Sequence, residues 1–303
     1  MRLSRKFALN SGLRYEKSYL LDKSSISPRF SMAYKTGKYS QISYAFGEYF
    51  QTPDIGFDQW YRQNNIDYRE FNIADLEFEQ STHHILNYEW NKDDITLRLE
   101  AFNKEYDDLI IIPENPMDDI IYSPNILSNS GDGYSRGFEM FWRNDQSRDG
   151  EGKDIWVAYS YLDSKRTFKH YYPEKIIPSF ASNHKLTFIY KETFTLKNED
   201  RFNTSLAMTA TTGFPYYNPY EEEQFESKPY LSFDVGGSYL PKVEDGFMVI
   251  FFNISNPFGY RNSFGYNYTG YDNAALIEPE EKLPSSLRSI FIGCFMFFSV
   301  DKD

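Results

Sequence analysis

Apolar residues recur at every second position along this chain, and rarely at the spacing of a helix. Phe7, Leu9, Leu13 and Tyr15 alternate with Ala8, Asn10, Gly12 and Arg14. Phe30, Met32 and Tyr34 alternate with Arg29, Ser31, Ala33 and Lys35. Ile42, Tyr44, Phe46 and Phe50 alternate with Ser43, Ala45, Gly47 and Tyr49, and Thr82, His84, Leu86, Tyr88 and Trp90 oppose Ser81, His83, Asn87 and Glu89. Period two with one apolar face is the signature of a β-strand. About twelve such strands are predicted, at 5–17, 27–36, 39–51, 75–90, 95–107, 133–143, 154–165, 183–194, 202–213, 229–240, 246–268 and 286–298. Most exceed the roughly 5–6 residues of a globular strand and match the roughly 9–11 that cross a bilayer at a tilt.

The connections alternate in length. Short ones are Lys35-Thr36-Gly37-Lys38, Asn91-Lys92-Asp93-Asp94, Asn144 to Lys153, Leu196 to Asp200 and Pro241 to Asp245. Long ones are predicted at about 18–26, 52–74, 108–132, 166–182, 214–228 and 269–285. One end then carries tight polar turns and the other long loops, as in outer-membrane barrels. The fold class expected is all-β: an antiparallel transmembrane β-barrel of about twelve strands.

The faces agree with that. The apolar set would face lipid and the other set a wet lumen. The inward set includes Arg14, Arg29, Lys35, Glu77, Glu79, Arg98, Glu100, Lys104, Glu139 and Arg143. Tyr15, Tyr88, Trp90, Tyr159 and Tyr190 fall near strand ends, where an interfacial girdle belongs. Glu48 is the exception. Its register points outward unless a bulge turns it, at a cost that falls toward zero near the interface.

Composition narrows the partners. Aromatics make up 19% of the residues, with 26 Tyr and 27 Phe, in a chain of mean hydropathy −0.61. Many aromatics in a polar chain suit a surface that is apolar on one side and wet on the other. A net charge of −12 argues against nucleic acid, whose phosphates need a basic face, and against anionic headgroups. Cys294 is the single cysteine and cannot form an internal disulfide. No apolar run reaches the roughly 20 residues of a membrane helix. The basic start, MRLSRKFALNSGLRYEK, has no apolar h-region. Because an outer-membrane protein must be exported, the chain is expected to be a fragment or to rely on a signal supplied by another segment.

A series of phrases resembles the TonB-dependent outer-membrane receptors. Gly12-Leu13-Arg14-Tyr15 is similar to their G-L-R-Y/F-D strand, and Ser27-Pro28-Arg29-Phe30 to the S-P-R strand that follows. Tyr49-Phe50-Gln51-Thr52-Pro53 resembles Y/F-x-Q-x-P, and Glu100 through Leu109, EAFNKEYDDL, resembles E-x-F/Y-x-K-x-Y-D-x-L. Asn129 to Glu139, NSGDGYSRGFE, is similar to N-x-G-x-x-x-x-G-x-E. Gly213-Phe214-Pro215-Tyr216 resembles the G-x-P-Y loop entry, Asn253-Ile254-Ser255-Asn256 the N-x-x-N strand, and Ile290-Phe291-Ile292-Gly293 the last strand. The eight follow the family's order from end to end. The resemblance implies the C-terminal portion of a 22-stranded barrel, with residues 1–303 as one partial barrel domain. Neither the family's plug domain nor its TonB-contacting box is visible, and Phe298 is followed by five further residues where family chains commonly stop.

Candidate site residues follow from chemistry. Tyr and Trp join a flat apolar face to a hydrogen-bonding tip, which suits a ligand mouth. The loop aromatics Trp60, Tyr61, Tyr122, Tyr171, Tyr172, Tyr216, Tyr217 and Tyr220 are the candidates for ligand contact, against packing between loops. Arg14, Arg29, Arg98, Glu100, Lys104, Glu139 and Arg143 are expected to line the lumen and to touch substrate or plug, or to pair across strands. Glu221-Glu222-Glu223 and Asp149 to Asp154 read as a solvated loop and turn. His83 and His84 are adjacent and point to opposite faces; with His170 and His184 they make no zinc spacing, and no G-x-S-x-G elbow occurs. No catalytic residue, metal or cofactor is expected, and the protein is not expected to be an enzyme.

The function this implies is the barrel portion of an active importer of a siderophore, cobalamin, glycan or peptide in the Gram-negative outer membrane. Its partners would be membrane lipid, the plug and remaining strands, the TonB complex through the plug, and a small nutrient. A stand-alone small barrel acting as passive pore or adhesin, and a soluble β-rich binding protein, are the alternatives.

Overall fold

The computed structural model describes residues 4–52, 76–111, 128–148, 151–167, 175–218, 221, 223–243, 246–267 and 280–298. The strands are β1 (Phe7–Ser18), β2 (Lys23–Lys35), β3 (Ser40–Gln51), β4 (Glu79–Lys92), β5 (Ile95–Ile111), β6 (Ser128–Asp145), β7 (Gly152–Thr167), β8 (Lys175–Ile176) and β9 (His184–Thr195). They continue with β10 (Arg201–Thr211), β11 (Pro215–Asn218), β12 (Glu223–Glu226), β13 (Tyr230–Leu240), β14 (Gly246–Ser255), β15 (Tyr266–Asn267), β16 (Glu280–Glu281) and β17 (Ser289–Phe298). Twelve are long and form one sheet in the order β1-β2-β3-β4-β5-β6-β7-β9-β10-β13-β14-β17, with β8 on β7. Each strand of this path pairs antiparallel with its neighbours in the chain.

The register sorts the side chains into two faces. One line of paired residues runs Leu9, Met32, Tyr44, Leu86, Ala101, Phe138, Tyr161 and His184 across eight strands. The line one residue along runs Ala8, Ala33, Ser43, Asn87, Glu100, Glu139, Ser160 and Lys185. A slip of one residue anywhere would exchange the two, so the alternation itself fixes the register. The apolar face is left uncovered by protein: Leu13 is 77% exposed, Ile290 71% and Ile292 72%. In water such a patch would drive association; in a bilayer it is the surface that lipid solvates.

Hardly any core exists in the globular sense. Leu21, Leu76, Phe78 and Ile110 form a small buried cluster with Phe50 against it. It lies at the long-loop end, where β5 runs past the expected 107 to Ile111. The opposite end closes in tight turns. Thr36 and Gly37 donate their backbone N–H groups to Ser40 at 3.0 and 3.3 Å. Asp93, with φ of 48–53° shared only by Asp22 and Asn256 among its kind, turns β4 into β5. Asp and Asn tolerate this left-handed conformation better than most residues.

Several expected boundaries shift. The connection expected over 18–26 is instead the four-residue turn between Ser18 and Lys23, which face one another. Ser24, Ser25 and Ser27 carry no hydrophobic alternation, yet their backbones ladder with Lys17, Glu16 and Arg14. The expected strand 246–268 ends at Ser255, because Asn256 and Gly259 take φ of 49° and 64° and the intervening Pro257 has no N–H to give. The loop expected at 214–228 contains the β11–β12 hairpin. No bulge turns Glu48, since the β3–β4 register is unbroken from Ser40 to Gln51; it stands opposite Thr82 on the apolar face.

Candidate functional site

The polar face is the side with room for chemistry. Arg14, Arg29, Arg98, Glu100, Lys104, Glu139 and Arg143 all fall on it by register. They are held in different ways. Arg14 bridges to Glu16 at 2.9 Å, and the Arg29 guanidinium lies 4.7 Å from the Tyr49 ring centre. Lys104 sits 5.3 Å over Phe102. Arg143 is the most constrained. Its Nε and Nη2 reach Asp154 at 2.8 and 3.0 Å, and Asp145 lies 2.9 Å away. The indole of Trp156 packs between Arg143 and Lys191, at 5.3 and 4.9 Å. This cluster sits at the short-turn end and reads as a brace for β6, β7 and β9.

Glu100 and Glu139 are unlike the rest. They are direct cross-strand partners, so two carboxylates face the lumen side at adjacent positions. Like charges directly opposite are destabilising unless a cation lies between them. The Asn87 side chain donates to Glu100 at 3.1 Å, and among the described residues neither glutamate has an ion-pair partner.

Above this pair, at the long-loop end, opens a cavity of about 430 Å³. Its floor is polar, with Glu139, Ser160, Lys185 and Thr209, and its rim is aromatic. Phe214, Tyr230 and Phe264 form a triangle, with ring centres 6.1, 5.7 and 5.7 Å apart. Phe180 joins the rim and is 65% exposed, with Arg166 5.3 Å from its ring. The strand ends position these rings: Phe214 lies three residues past β10 and Tyr230 opens β13. Gly213 makes the approach possible, since a Cβ there would meet the Ser227 carbonyl oxygen at 2.0 Å. Apolar walls over a few convergent polar groups are the usual make-up of a small-molecule site.

The loop aromatics expected to touch ligand divide. Trp60, Tyr61, Tyr122, Tyr171, Tyr172 and Tyr220 lie outside the described residues, as does His170. Tyr216 and Tyr217 lie on β11, and Tyr216 stacks on Phe225 at 6.0 Å and on Tyr266 at 5.1 Å. The rim residues Phe180, Phe214, Tyr230 and Phe264 were not among the candidates. Their signal was position, at strand ends beside Gly213-Phe214-Pro215, rather than residue type. The histidines separate as expected from their spacing. His83 bonds Ser81 at 2.7 Å on the polar face, while His84 and His184 bond the Tyr44 and Tyr159 hydroxyls on the other. Among the described residues no group of three His, Cys, Asp or Glu is placed to hold a metal.

Comparison with known proteins gives a consistent result. Residues 1–256 match the family described as TonB dependent receptor-like, beta-barrel. No curated protein matches the sequence. The fold is similar to the ferric yersiniabactin uptake receptor of Yersinia pestis, with TM-score 0.66 and 13% identity over 98% of this chain and 44% of that one. It is similar to the ferripyoverdine receptor of the Pseudomonas aeruginosa outer membrane, with TM-score 0.67 and 13% identity over 97% of this chain and 37% of that one. It is also similar to the FrpB iron transporter of Neisseria meningitidis, with TM-score 0.66 and 13% identity over 96% and 43%. The chain thus spans less than half the length of the solved structures it overlays.

Proposed function

Because this chain belongs to the TonB dependent receptor-like β-barrel family, we propose that it forms part of the barrel wall of an outer-membrane receptor that imports a scarce nutrient. Residues 1–303 then make one partial barrel domain. The carrying observation is the pairing of a continuous apolar outer face with an aromatic-rimmed cavity of about 430 Å³ on the inner one. The outer face supports residence in lipid, and the cavity supports capture of a small molecule at the loop end. The three similar structures are named for uptake of ferric yersiniabactin, reception of ferripyoverdine and transport of iron. A ferric siderophore or another scarce nutrient of similar size is the substrate class that fits this reading. Nothing in the arrangement supplies a nucleophile with its base, so the proposed role is transport and not catalysis.

Transport of a scarce solute against its gradient needs an energy source, and the TonB complex acting through a lumenal plug supplies it in this reading. Glu100 and Glu139 are the wall groups suited to meet a cationic side chain of such a plug, since that contact would relieve their mutual repulsion. The test is uptake. Deleting the gene in its native host should abolish accumulation of one labelled ferric chelate or other nutrient from a panel, in a manner dependent on TonB. Unchanged uptake of the whole panel, or uptake indifferent to TonB, would defeat the proposal.

A further inference from the structure

β14 and β17 depart from the pattern of the wall. On β9, β10 and β13 the inner face carries groups such as Lys191, Asn203, Thr209, Asp234 and Ser238. On β14 and β17 the same face carries Phe247, Val249 and Phe251 opposite Phe297, Phe295 and Gly293, with Phe291 beside them. Phe251 and Phe291 are 5.6 Å apart and Phe295 and Phe297 4.9 Å, so the rings form one patch. Gly293 gives Phe251 its place, because a Cβ there would meet that ring at 2.4 Å. The patch is uncovered: Phe247 is 50% exposed, Phe291 59%, Phe295 53% and Phe297 58%.

A strand that is apolar on both faces is a strand buried on both faces. Met248, Ile250, Phe252, Ile292 and Met296 continue the outer face, and lipid accounts for them. Lipid does not account for the inner patch, and neither does a neighbouring barrel, because in a barrel that face looks into the lumen. The occupant must therefore come from inside. The structures this chain overlays are more than twice its length, which leaves ample polypeptide to fill that space. We propose that the inner wall of β14 and β17 is a docking surface for an apolar segment of receptor polypeptide seated in the lumen. The inference rests on the barrel reading above and adds to it a location and a chemistry: aromatic and aliphatic contact at this edge, where the rest of the inner wall offers charges and hydroxyls.

Photo-cross-linking in cells of the native host tests this. A benzoylphenylalanine placed at Phe295 or Phe297 should capture a peptide that lies outside residues 1–303, either on the same polypeptide or on an accompanying chain. The same group at Ile292, one register line away on the outer face, should capture lipid. Combining it at Phe295 with Phe247→Ser and Phe251→Ser should lose the protein cross-link while Ile292 continues to label lipid. Capture at Phe295 and Phe297 of lipid, of a second copy, or of nothing would overturn the docking surface while lipid labelling at Ile292 kept the barrel. Capture of protein at Ile292 would overturn the barrel reading and the docking surface with it.

Discussion

At the scale of single residues, the wall is governed by how closely its strands approach. Gly137 on β6 faces the polar side between Phe102 and Leu162. A Cβ there would meet the Tyr161 carbonyl oxygen at 2.1 Å and the Phe102 ring at 2.9 Å. The first is backbone and has nowhere to go. Gly137→Ala should therefore destabilise the folded wall by about 1–3 kcal/mol, the range for overpacking, seen as a lower unfolding midpoint in denaturant. Asp200 offers a pH test in a short turn outside the spanning strands. It accepts from the Tyr239 hydroxyl and, at 2.7 Å, from the Lys242 backbone N–H. The Tyr239 hydroxyl, followed by the Lys242 N–H, holds its carboxyl below the ordinary carboxylate value. An acid whose folded pKa is depressed contributes stability above its unfolded pKa and loses it as pH falls through the folded one. The turn around 197–200 should become more protease-sensitive as pH drops below about 4, and Asp200→Asn should remove that dependence.

At the scale of elements, the turn after β14 shows how one side chain ends a strand. Asn256 sits at φ 49°. Its side chain accepts from the Tyr260 N–H at 2.9 Å and donates to the Tyr260 and Leu287 carbonyls at 2.7 and 2.6 Å. It ties the start of the loop to the approach of β17. Asn256→Ala should cost about 1–2 kcal/mol for the left-handed backbone alone, and Asn256→Gly should recover that part but not the lost bonds. Limited proteolysis between 257 and 288 reads both. Elements such as this were only partly legible in the sequence. The twelve wall strands were visible because a sheet that is apolar on one face must alternate, and the alternation names register as well as type. The strand extensions were invisible, because Ser24 to Ser27 and Ser128 to Gly133 pair through backbone groups that leave no trace in side-chain pattern. The end of β14 was missed for the opposite reason: aromatic residues continue past Asn256, and the hydrophobic signal outran the strand. In the site, the inner charges followed from alternation once the outer face was known. The aromatic rim did not, since Phe214, Tyr230 and Phe264 are brought together by three separate loop entries that no local pattern links.

At the scale of the whole molecule, β1 and β17 each pair with one strand among the described residues. In a bilayer an unpaired backbone N–H or C=O costs several kcal/mol, so both edges are expected to be satisfied when the protein is in its membrane. Hydrogen exchange in native membranes should show protection along all of β1 and β17, including the amides that point away from β2 and β14. Rapid exchange of alternate amides on either strand would show an open edge and contradict a closed barrel.

The strictly sequential strand order has a consequence for how such a wall changes over evolutionary time. No strand is inserted between two earlier ones, and each short turn joins immediate neighbours. Two strands and the turn between them are therefore a removable tile. Duplicating or deleting one alters the circumference without rethreading any other part. A coding sequence interrupted at such a turn yields pieces whose internal pairings are complete, leaving only one seam on each side to be rejoined.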